Sequence, residues 1–491
     1  MRAHAVAAVR AAEQAAMARL PDGALMQRAA AGLARVVAGE LRRRGGGVYG
    51  RRVVLLVGPG SNGGDALWAG ARLARRGARV DAVLTADRAH ARGLEALRLA
   101  GGRVTDPRGA AGAAIDLLHA GDLVVDGLLG IGARPGLEGV AAQIVDELHP
   151  AMRVVAVDLP SGVDPDTGET PGTHVSADVT VTFGTAKPCL LLPPACAAAG
   201  RVVRVDIGLD DAELGTPVAE RLGGAAAARR WPVPGADDDK YSRGVLGVVA
   251  GGHGYTGAAV LATGAAVAAG AGMVRYLGPQ ATTDLVRARW PEVVPGEGRV
   301  QAWLLGPGVD SDDAQQRRAV GAALGSGEPC VVDAGALAML PHRCTAPTLL
   351  TPHAGELARL LASRGEPVER EEIEARPLHH ARRAARLTGA TVLLKGATAL
   401  VVPPEGTVRA QPDGPHWLAT AGSGDVLAGI AGALLSGGLD PLDAGAFAVV
   451  VHGLAGQLAS RGGPASASAV LDAVPAAVAS LLSHAAPALP D

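Results

Sequence analysis

The sequence predicts two consecutive doubly wound α/β domains. Three observations carry that expectation. Short apolar runs of strand length alternate with longer runs of helical spacing along most of the 491-residue chain. Several of the apolar runs end in a glycine-rich turn or an aspartate at the point where the next helix opens. The series then starts afresh after residues 211–235, which are rich in Ala, Gly, Arg and Pro and show no clear periodicity. A chain of this length exceeds one ordinary core, so a domain 1–210, a linker 211–235 and a domain 236–491 are expected.

Composition narrows the function classes. Aromatic residues make up only 2% against 48% hydrophobic residues and 69 glycines, so the chain packs through Ala, Val and Leu and carries loops suited to phosphate ligands. With 46 basic and 48 acidic residues the formal net charge is −2, and no global field recruits nucleic acid or an anionic membrane. The partners expected are therefore small molecules, with a homo-oligomer as the assembly. Four cysteines without CxxC spacing read as reduced thiols of a cytoplasmic protein. Arg2, Arg10 and Glu13 interrupt the N-terminal alanines, which fits an amphipathic helix and not a signal peptide. The uncharged run 254–274 is long enough to span a bilayer. Its glycine and alanine content favours a buried helix instead.

In the first half, residues 26–44 have helical spacing. The stretch RRVVLLVGPGSNGGDALWAGARL then places a strand at 53–57, a glycine-rich turn, and a helix at 65–76. Gly58, Gly60 and Gly63 satisfy G-x-G-x-x-G, with Asp81 following at the next strand. Asn62 and Asp65 depart from a plain dinucleotide cradle, because a pyrophosphate gains nothing from an added carboxylate. Either Asp65 caps the helix, or the loop holds a cation or a ribose. Strand 123–125 ends in Asp126 and continues GLLGIGARPG, while strand 154–157 ends in Asp158 and continues LPSGVDPDTG. The carboxyl ends of parallel strands share one edge, so the glycine loop, Asp126 and Asp158 should converge in one crevice. Taken singly, each aspartate is as readily a cap or turn former. Strands at 179–183 and 202–207 close this half, with Lys187 between them either reaching a phosphate or standing in solvent.

The second half reopens with a strand at 245–250, a glycine-rich turn at 251–257 and a buried helix at 258–269. Further strands are expected at 303–306, 330–333, 349–351 and 391–395. The stretch TAGSGDVLAGI, residues 420–430, places Gly422, Gly424 and Gly429 around Asp425 ahead of a helix at 426–435. A helix start offers unpaired N–H groups and about +0.5 of a charge, which suits an anion. A carboxylate beside an anion is a cap, a metal ligand or a base.

The combination GPGSNGGDALWAGARL, DGLLGIGARPG and AVDLPSGVDPDTG resembles the N-terminal, Rossmann-like epimerase half of the NAD(P)H-hydrate repair enzymes, whose loop more often reads NNGGDG where this chain has Ser61 and Ala66. The resemblance implies that Ser61, Asn62, Gly63, Gly64 and Asp65 hold the hydrated dinucleotide together with Gly130, Ile131, Gly132, Ala133, Arg134, Pro135 and Gly136. It implies that Asn62, Asp126 and Ser161 ligate a potassium ion, and that Asp158 contacts the substrate as a catalytic residue. The second half is similar to the ADP/ATP-dependent NAD(P)H-hydrate dehydratases, which are ribokinase-like α/β proteins. There the resemblance implies that substrate lies near Ala258, Gly308, His353 and Asp425, and adenine nucleotide along Lys395, Gly396, Ala397, Thr398 and Ala399 and at Gly424. It makes Asp425 the base that deprotonates the acceptor hydroxyl, with magnesium accompanying ADP or ATP. Because DAGALA stands where DADALN is more usual, Asp333 receives no catalytic role, and His452 reads as a core histidine.

The activity implied is repair. Hydration of the nicotinamide ring of NADH or NADPH yields two epimers. The first domain would interconvert them, and the second would phosphorylate the S form and eliminate phosphate to regenerate the cofactor. Two other readings stay open, namely a vitamin or sugar kinase fused to a non-catalytic nucleotide-binding module, and a scaffold without catalysis.

Overall fold

A computed structural model of the protein describes residues 1–43, 45–106, 111–412 and 414–483. The chain forms two compact units, Met1–Ala219 and Glu220–Asp491, divided inside the stretch 211–235. That stretch carries two short helices, Asp211–Leu214 and Gly224–Arg230.

The first unit opens with helices α1 (Val6–Arg19) and α2 (Ala24–Arg43), and Arg44, the expected end of the second, lies outside the described residues. It continues through β1 (Arg52–Val57), α3 (Ser61–Ala74), β2 (Arg79–Leu84), α4 (Ala91–Leu99), β3 (Arg103–Thr105), α5 (Gly112–His119), β4 (Leu123–Gly127), α6 (Gly139–Asp146), β5 (Val154–Val157), β6 (Val179–Phe183) and β7 (Arg201–Val205). The seven strands are parallel in the order β3-β2-β1-β4-β5-β6-β7. The continuous apolar run of β1 follows from burial on both faces. Val53, Leu55 and Val57 pack with α2, α3 and α4, while Val54 and Leu56 pack with α5 and α6. The strand order reverses between β1 and β4, the switch point where ligands sit in such sheets.

One expected boundary moves. The helix read at 65–76 starts at Ser61, so Gly63, Gly64 and Asp65 belong to its first turn and not to a loop. Close approach is the reason glycine stands there, since a Cβ on Gly63 would lie 2.2 Å from the Gly58 carbonyl oxygen.

The second unit alternates β8 (Val245–Val249), α7 (Thr256–Ala268), β9 (Met273–Leu277), α8 (Gln280–Arg289), β10 (Val294–Pro295), β11 (Ala302–Leu305), α9 (Ala314–Leu324), β12 (Cys330–Val332), β13 (Thr348–Leu350), α10 (Ala354–Ser363), α11 (Pro377–Thr388), β14 (Thr391–Leu394), β15 (Thr398–Val402) and β16 (Val408–Pro412). Three apolar helices follow, α12 (Ser423–Ser436), α13 (Pro441–Ser460) and α14 (Ala467–Ser483). Its strands run in the order β16-β15-β14-β13-β12-β11-β8-β9-β10. All pairs are parallel except those made by β15, an antiparallel excursion at one side.

Within the run 254–274, Thr256–Ala268 form the core helix α7, against which α12 packs, and residues 273–274 already belong to β9. Gly429 permits the approach, because a Cβ there would fall 2.3 Å from the Ala262 carbonyl oxygen. Among the described residues α13 is the one helix long and apolar enough to cross a membrane, and 67% of its apolar window is buried in the unit's own core. The four cysteines are free thiols.

Candidate active sites

In the first unit the carboxyl ends of β1, β4 and β5 bring the expected residues into contact. Asn62, on the first turn of α3, donates through Nδ2 to the carbonyl oxygens of Val157 (2.6 Å) and Leu129 (2.9 Å). Asp126 Oδ1 accepts from Ser161 Oγ at 2.6 Å and from Leu128 N at 3.2 Å, and its Oδ2 accepts from Ser161 N at 2.8 Å. Ser161 Oγ also accepts from Leu129 N at 2.9 Å. Gly130 lacks a side chain because a Cβ would lie 2.7 Å from Asn62 Oδ1. Gly136, with φ +86°, donates to the Gly162 carbonyl at 2.7 Å. The 130–136 loop is thus pinned between α3 and the turn after Ser161.

Asp126 is fully buried, and burial pushes its carboxyl up to about 6, against the pull of the Ser161 and Leu128 hydrogen bonds. Its hydrogen-bond partners among the described residues are neutral donors, so a buried carboxylate lacks a counter-charge. The oxygens of Asp126, Asn62 and Ser161 are hard ligands that fit a potassium ion there.

Asp158 occupies the left-handed region, φ +69°, an uncommon conformation for a side-chain-bearing residue. It is held there on several sides. Its N–H bonds the Val181 carbonyl at 2.8 Å, and Oδ1 accepts from Thr182 Oγ1 at 3.1 Å, from Phe183 N at 3.2 Å and from Lys187 Nζ. Lys187 is 0% exposed, so neither sequence alternative for it holds. Its ammonium also bonds Thr182 Oγ1 and the carbonyls of Phe183 and Thr185, at 3.2 to 3.3 Å, and serves as the fixed partner of Asp158.

Asp65 does not cap α3. The N-cap is Gly60, without a side-chain bond, while Asp65 is buried with Oδ1 unpartnered among the described residues. Burial, then the neighbouring Asp158 and Glu13, hold its carboxyl well above the usual range, partly offset by Lys187. Ser61 and Arg134 are exposed at the rim of this crevice. Asp81 lies within β2, 3.7 Å from Arg52 Nε, and takes no part.

In the second unit Asp425 sits in the first turn of α12. The N-cap is Gly422, with φ +86° and no side-chain cap, so Asp425 is not the cap either. Ser423 beside it is anchored by the buried His452, Oγ to Nε2 3.0 Å, which gives that core histidine a positioning role. A Cβ on Gly424 would lie 3.4 Å from Lys395 Nζ, so the lysine reaches the start of α12 from the end of β14. Lys395 Nζ bonds Asp333 Oδ1 at 2.9 Å and lies 3.7 Å from Glu356 Oε2.

Asp333, given no catalytic role from the sequence, is the ion-pair partner of Lys395. Burial first, then Asp333 and Glu356, raise the Asp425 carboxyl to about 7, against the pull of Lys395. Burial disfavours the Lys395 charge, but Asp333, Glu356 and Asp425 outweigh it and raise its pKa.

His353 caps α10. Its Nδ1 accepts from Gly355 N at 3.0 Å and Glu356 N at 3.3 Å, while Glu356 Oε2 accepts from His353 N at 2.9 Å. The cap fixes Glu356 and leaves the imidazole half exposed. Gly308, φ +65°, abuts Ala258, whose Cβ is 2.8 Å from where a Cβ on Gly308 would lie. Leu261, one turn further along α7, lies against Gly422. Along the nucleotide stretch, Lys395, Gly396, Ala397 and Thr398 remain accessible, whereas Ala399 is 1% exposed and packs into the core. A side-chain contact from Ala399 to a nucleotide is thereby corrected.

Residues 22–189 match a family described as the YjeF-related protein N-terminus, and residues 246–472 match NAD(P)H-hydrate dehydratase. The bifunctional NAD(P)H-hydrate repair enzyme Nnr of Mycobacterium tuberculosis H37Rv is 48% identical over 456 residues, covering 90% of this chain and 91% of its own. Its Mycobacterium leprae counterpart is 47% identical over 498 residues, covering 97% and 99%. The chain belongs to the bifunctional NAD(P)H-hydrate repair enzymes. A crystal structure of the ADP/ATP-dependent NAD(P)H-hydrate dehydratase from Bacillus subtilis, co-crystallised with ATP and magnesium, is 26% identical with a TM-score of 0.49, covering 54% of this chain and 99% of that one.

Within this repair enzyme four site residues escape sequence reading: Lys187, Asp333, Glu356 and Glu13. Lys187 and Asp333 had weak signals, a lysine and an acid shortly after a strand, and Glu356 stands in the first turn of α10 behind the His353 cap. Glu13 had none, since a glutamate in an alanine-rich helix reads as an ordinary polar face.

Proposed function

We propose that residues 1–210 interconvert the R and S epimers of hydrated NAD(P)H and that residues 236–491 dehydrate the S epimer with ADP or ATP, in the cytoplasm. The observation that carries the second half is Asp425. Its carboxylate has no hydrogen-bond partner among the described residues, stands at a helix start beside Lys395, and is raised to about 7. A base with its pKa near the working pH combines availability with driving force.

In this reading the free N–H groups at the start of α12 and the Lys395 ammonium receive the charge of the transferred phosphoryl group. Asp425 accepts the proton of the ring hydroxyl as its oxygen bonds to phosphorus and the terminal phosphoanhydride P–O bond of the nucleotide breaks, with AMP leaving from ADP or ADP from ATP. Departure of phosphate from the ring, with loss of a proton from the adjacent carbon, restores the double bond. Asp333 and Glu356 supply hard oxygens next to the phosphates, which fits a magnesium ion carried by the nucleotide. Magnesium there would neutralise phosphate charge. Lys395, Gly396, Ala397, Thr398 and Gly424 line the nucleotide side, and Ala258, Gly308 and His353 the substrate side.

In the first unit Ser61, Asn62, Gly63, Gly64, Asp65 and the 130–136 loop hold the substrate, and Asp158, fixed by Lys187, is the catalytic residue. Asn62, Asp126 and Ser161 hold potassium, which would offset the buried Asp126 charge. The assembly is a homo-oligomer.

Cutting the chain between residues 210 and 234 tests the division of labour. Two folded pieces are expected, one epimerising and one dehydrating, each near the rate of the intact chain. Pieces active only when rejoined would mean shared sites and a wrong boundary.

A further inference from the structure

Helix α1 lies outside the 22–189 family match, yet it adjoins the epimerisation crevice. Its Val9 and Ala12 pack with Leu214 against Ile131, in the middle of the substrate loop. One turn apart on the same helix stand two charged residues. Arg10 Nη2 donates to the Ile131 carbonyl at 3.2 Å and covers Gly132, where a Cβ would lie 2.8 Å from that nitrogen. Glu13 faces Lys187 and Asp158, and burial followed by Asp158 raises its carboxyl against the pull of Lys187 and Arg10.

The charges of the crevice make an imbalance. Asp65, Asp126, Asp158 and Glu13 are carboxyl groups, and the buried Lys187 is already committed to Asp158. A hydrated dinucleotide adds two phosphate charges. Arg10 is exposed and, among the described residues, has no carboxylate within ion-pairing distance; its guanidinium bonds a carbonyl of the loop itself. A guanidinium presents several donors in a plane and suits phosphate oxygens better than a carbonyl.

We propose that α1 forms a wall of the epimerase site and that Arg10 reads the pyrophosphate of the hydrated dinucleotide at the 130–136 loop. The proposal rests on the epimerase reading given above. Arg10 is a binding and positioning residue here, and the bond to Ile131 is the parking place of its guanidinium when the loop is free.

The test compares hydrated NADH with the hydrated form of reduced nicotinamide riboside, which has the ring and no phosphate, in the full-length chain. Arg10→Ala should lower kcat/KM for the dinucleotide by about 10- to 100-fold, chiefly through KM, the worth of a charge-assisted hydrogen bond. The riboside should change by less than about twofold on the same principle, because it offers nothing for the guanidinium to bind. ADP-ribose, which carries the pyrophosphate without the ring, should lose a similar factor as a competitive inhibitor of epimerisation. Arg10→Lys should recover part of each loss. Equal losses on both substrates would make Arg10 a docking residue of α1 and overturn the proposal, as would no loss on either. A wild-type chain that epimerises neither substrate would instead overturn the activity assigned to this unit, and the proposal with it.

Discussion

Asp425→Asn is expected to fold, to bind adenine nucleotide, to epimerise at the normal rate and to lose dehydration by roughly a hundred- to ten-thousand-fold, the usual worth of a positioned general base. The substitution keeps the shape of the side chain and removes its basic oxygen. Because the α12 N-cap is Gly422, loss of a cap cannot account for a rate effect. The wild-type dehydration rate should rise with pH through an apparent pKa near 7, since the carboxylate must be ionised to accept a proton.

Stability gives an independent sign. The Asp425 pKa is raised from 3.8 to about 7 in the folded state, so the folded chain binds more protons than the unfolded one between those values. Stability from this group is therefore lost as pH rises through that window. Asn carries no such penalty, and Asp425→Asn should unfold at a higher temperature than wild type at pH 8, with the difference vanishing below about pH 4. Calorimetric scans across pH check this. A variant less stable than wild type at pH 8 would mean that the Asp425 carboxylate is satisfied in the fold.

Asp126→Ala should abolish the potassium dependence of epimerisation and most of its rate, while the S epimer is dehydrated normally. Asp126 receives three hydrogen bonds in a fully buried setting. The alanine leaves the Ser161 and Leu128 donors unpaired, at about 1–3 kcal/mol each. Asp126→Asn, of equal size and without charge, separates that cost from the loss of the cation. It should retain the fold and lose the response to added potassium. Persistent activation of Asp126→Asn by potassium would remove this residue from the ligand set, and parallel loss of both activities in Asp126→Ala would indicate misfolding.

Most strands were legible because burial on both faces demands uninterrupted apolar runs, as in β1 and β8, and their ends fall within a residue or two of the expected ones. The start of α3 was misplaced because glycines at 63 and 64 signal a turn locally, while their actual role is to let the helix approach the Gly58 carbonyl. Asn62, Asp126 and Asp425 could be picked out since each follows a strand or opens a helix at the sheet's carboxyl edge, whereas Ser161 entered only through the family resemblance. The partners that tune them could not. Lys187 meets Asp158 across 29 residues and Lys395 meets Asp333 across 62, pairings that strand order decides and local pattern does not record. The contribution of α1 is of the same kind, because Arg10 and Ile131 are 121 positions apart.

The most direct measurement incubates the pure S epimer of hydrated NADH with the protein, magnesium and ADP, following reduced-nicotinamide absorbance and phosphate together. Absorbance is expected to return, with one phosphate released and one AMP formed for each NADH, and the R epimer is expected to give the same product with a lag that Asp126→Asn lengthens. A stable phosphoester of the ring alcohol, with nucleotide consumed and no absorbance regained, would contradict this expectation and make the second unit a kinase.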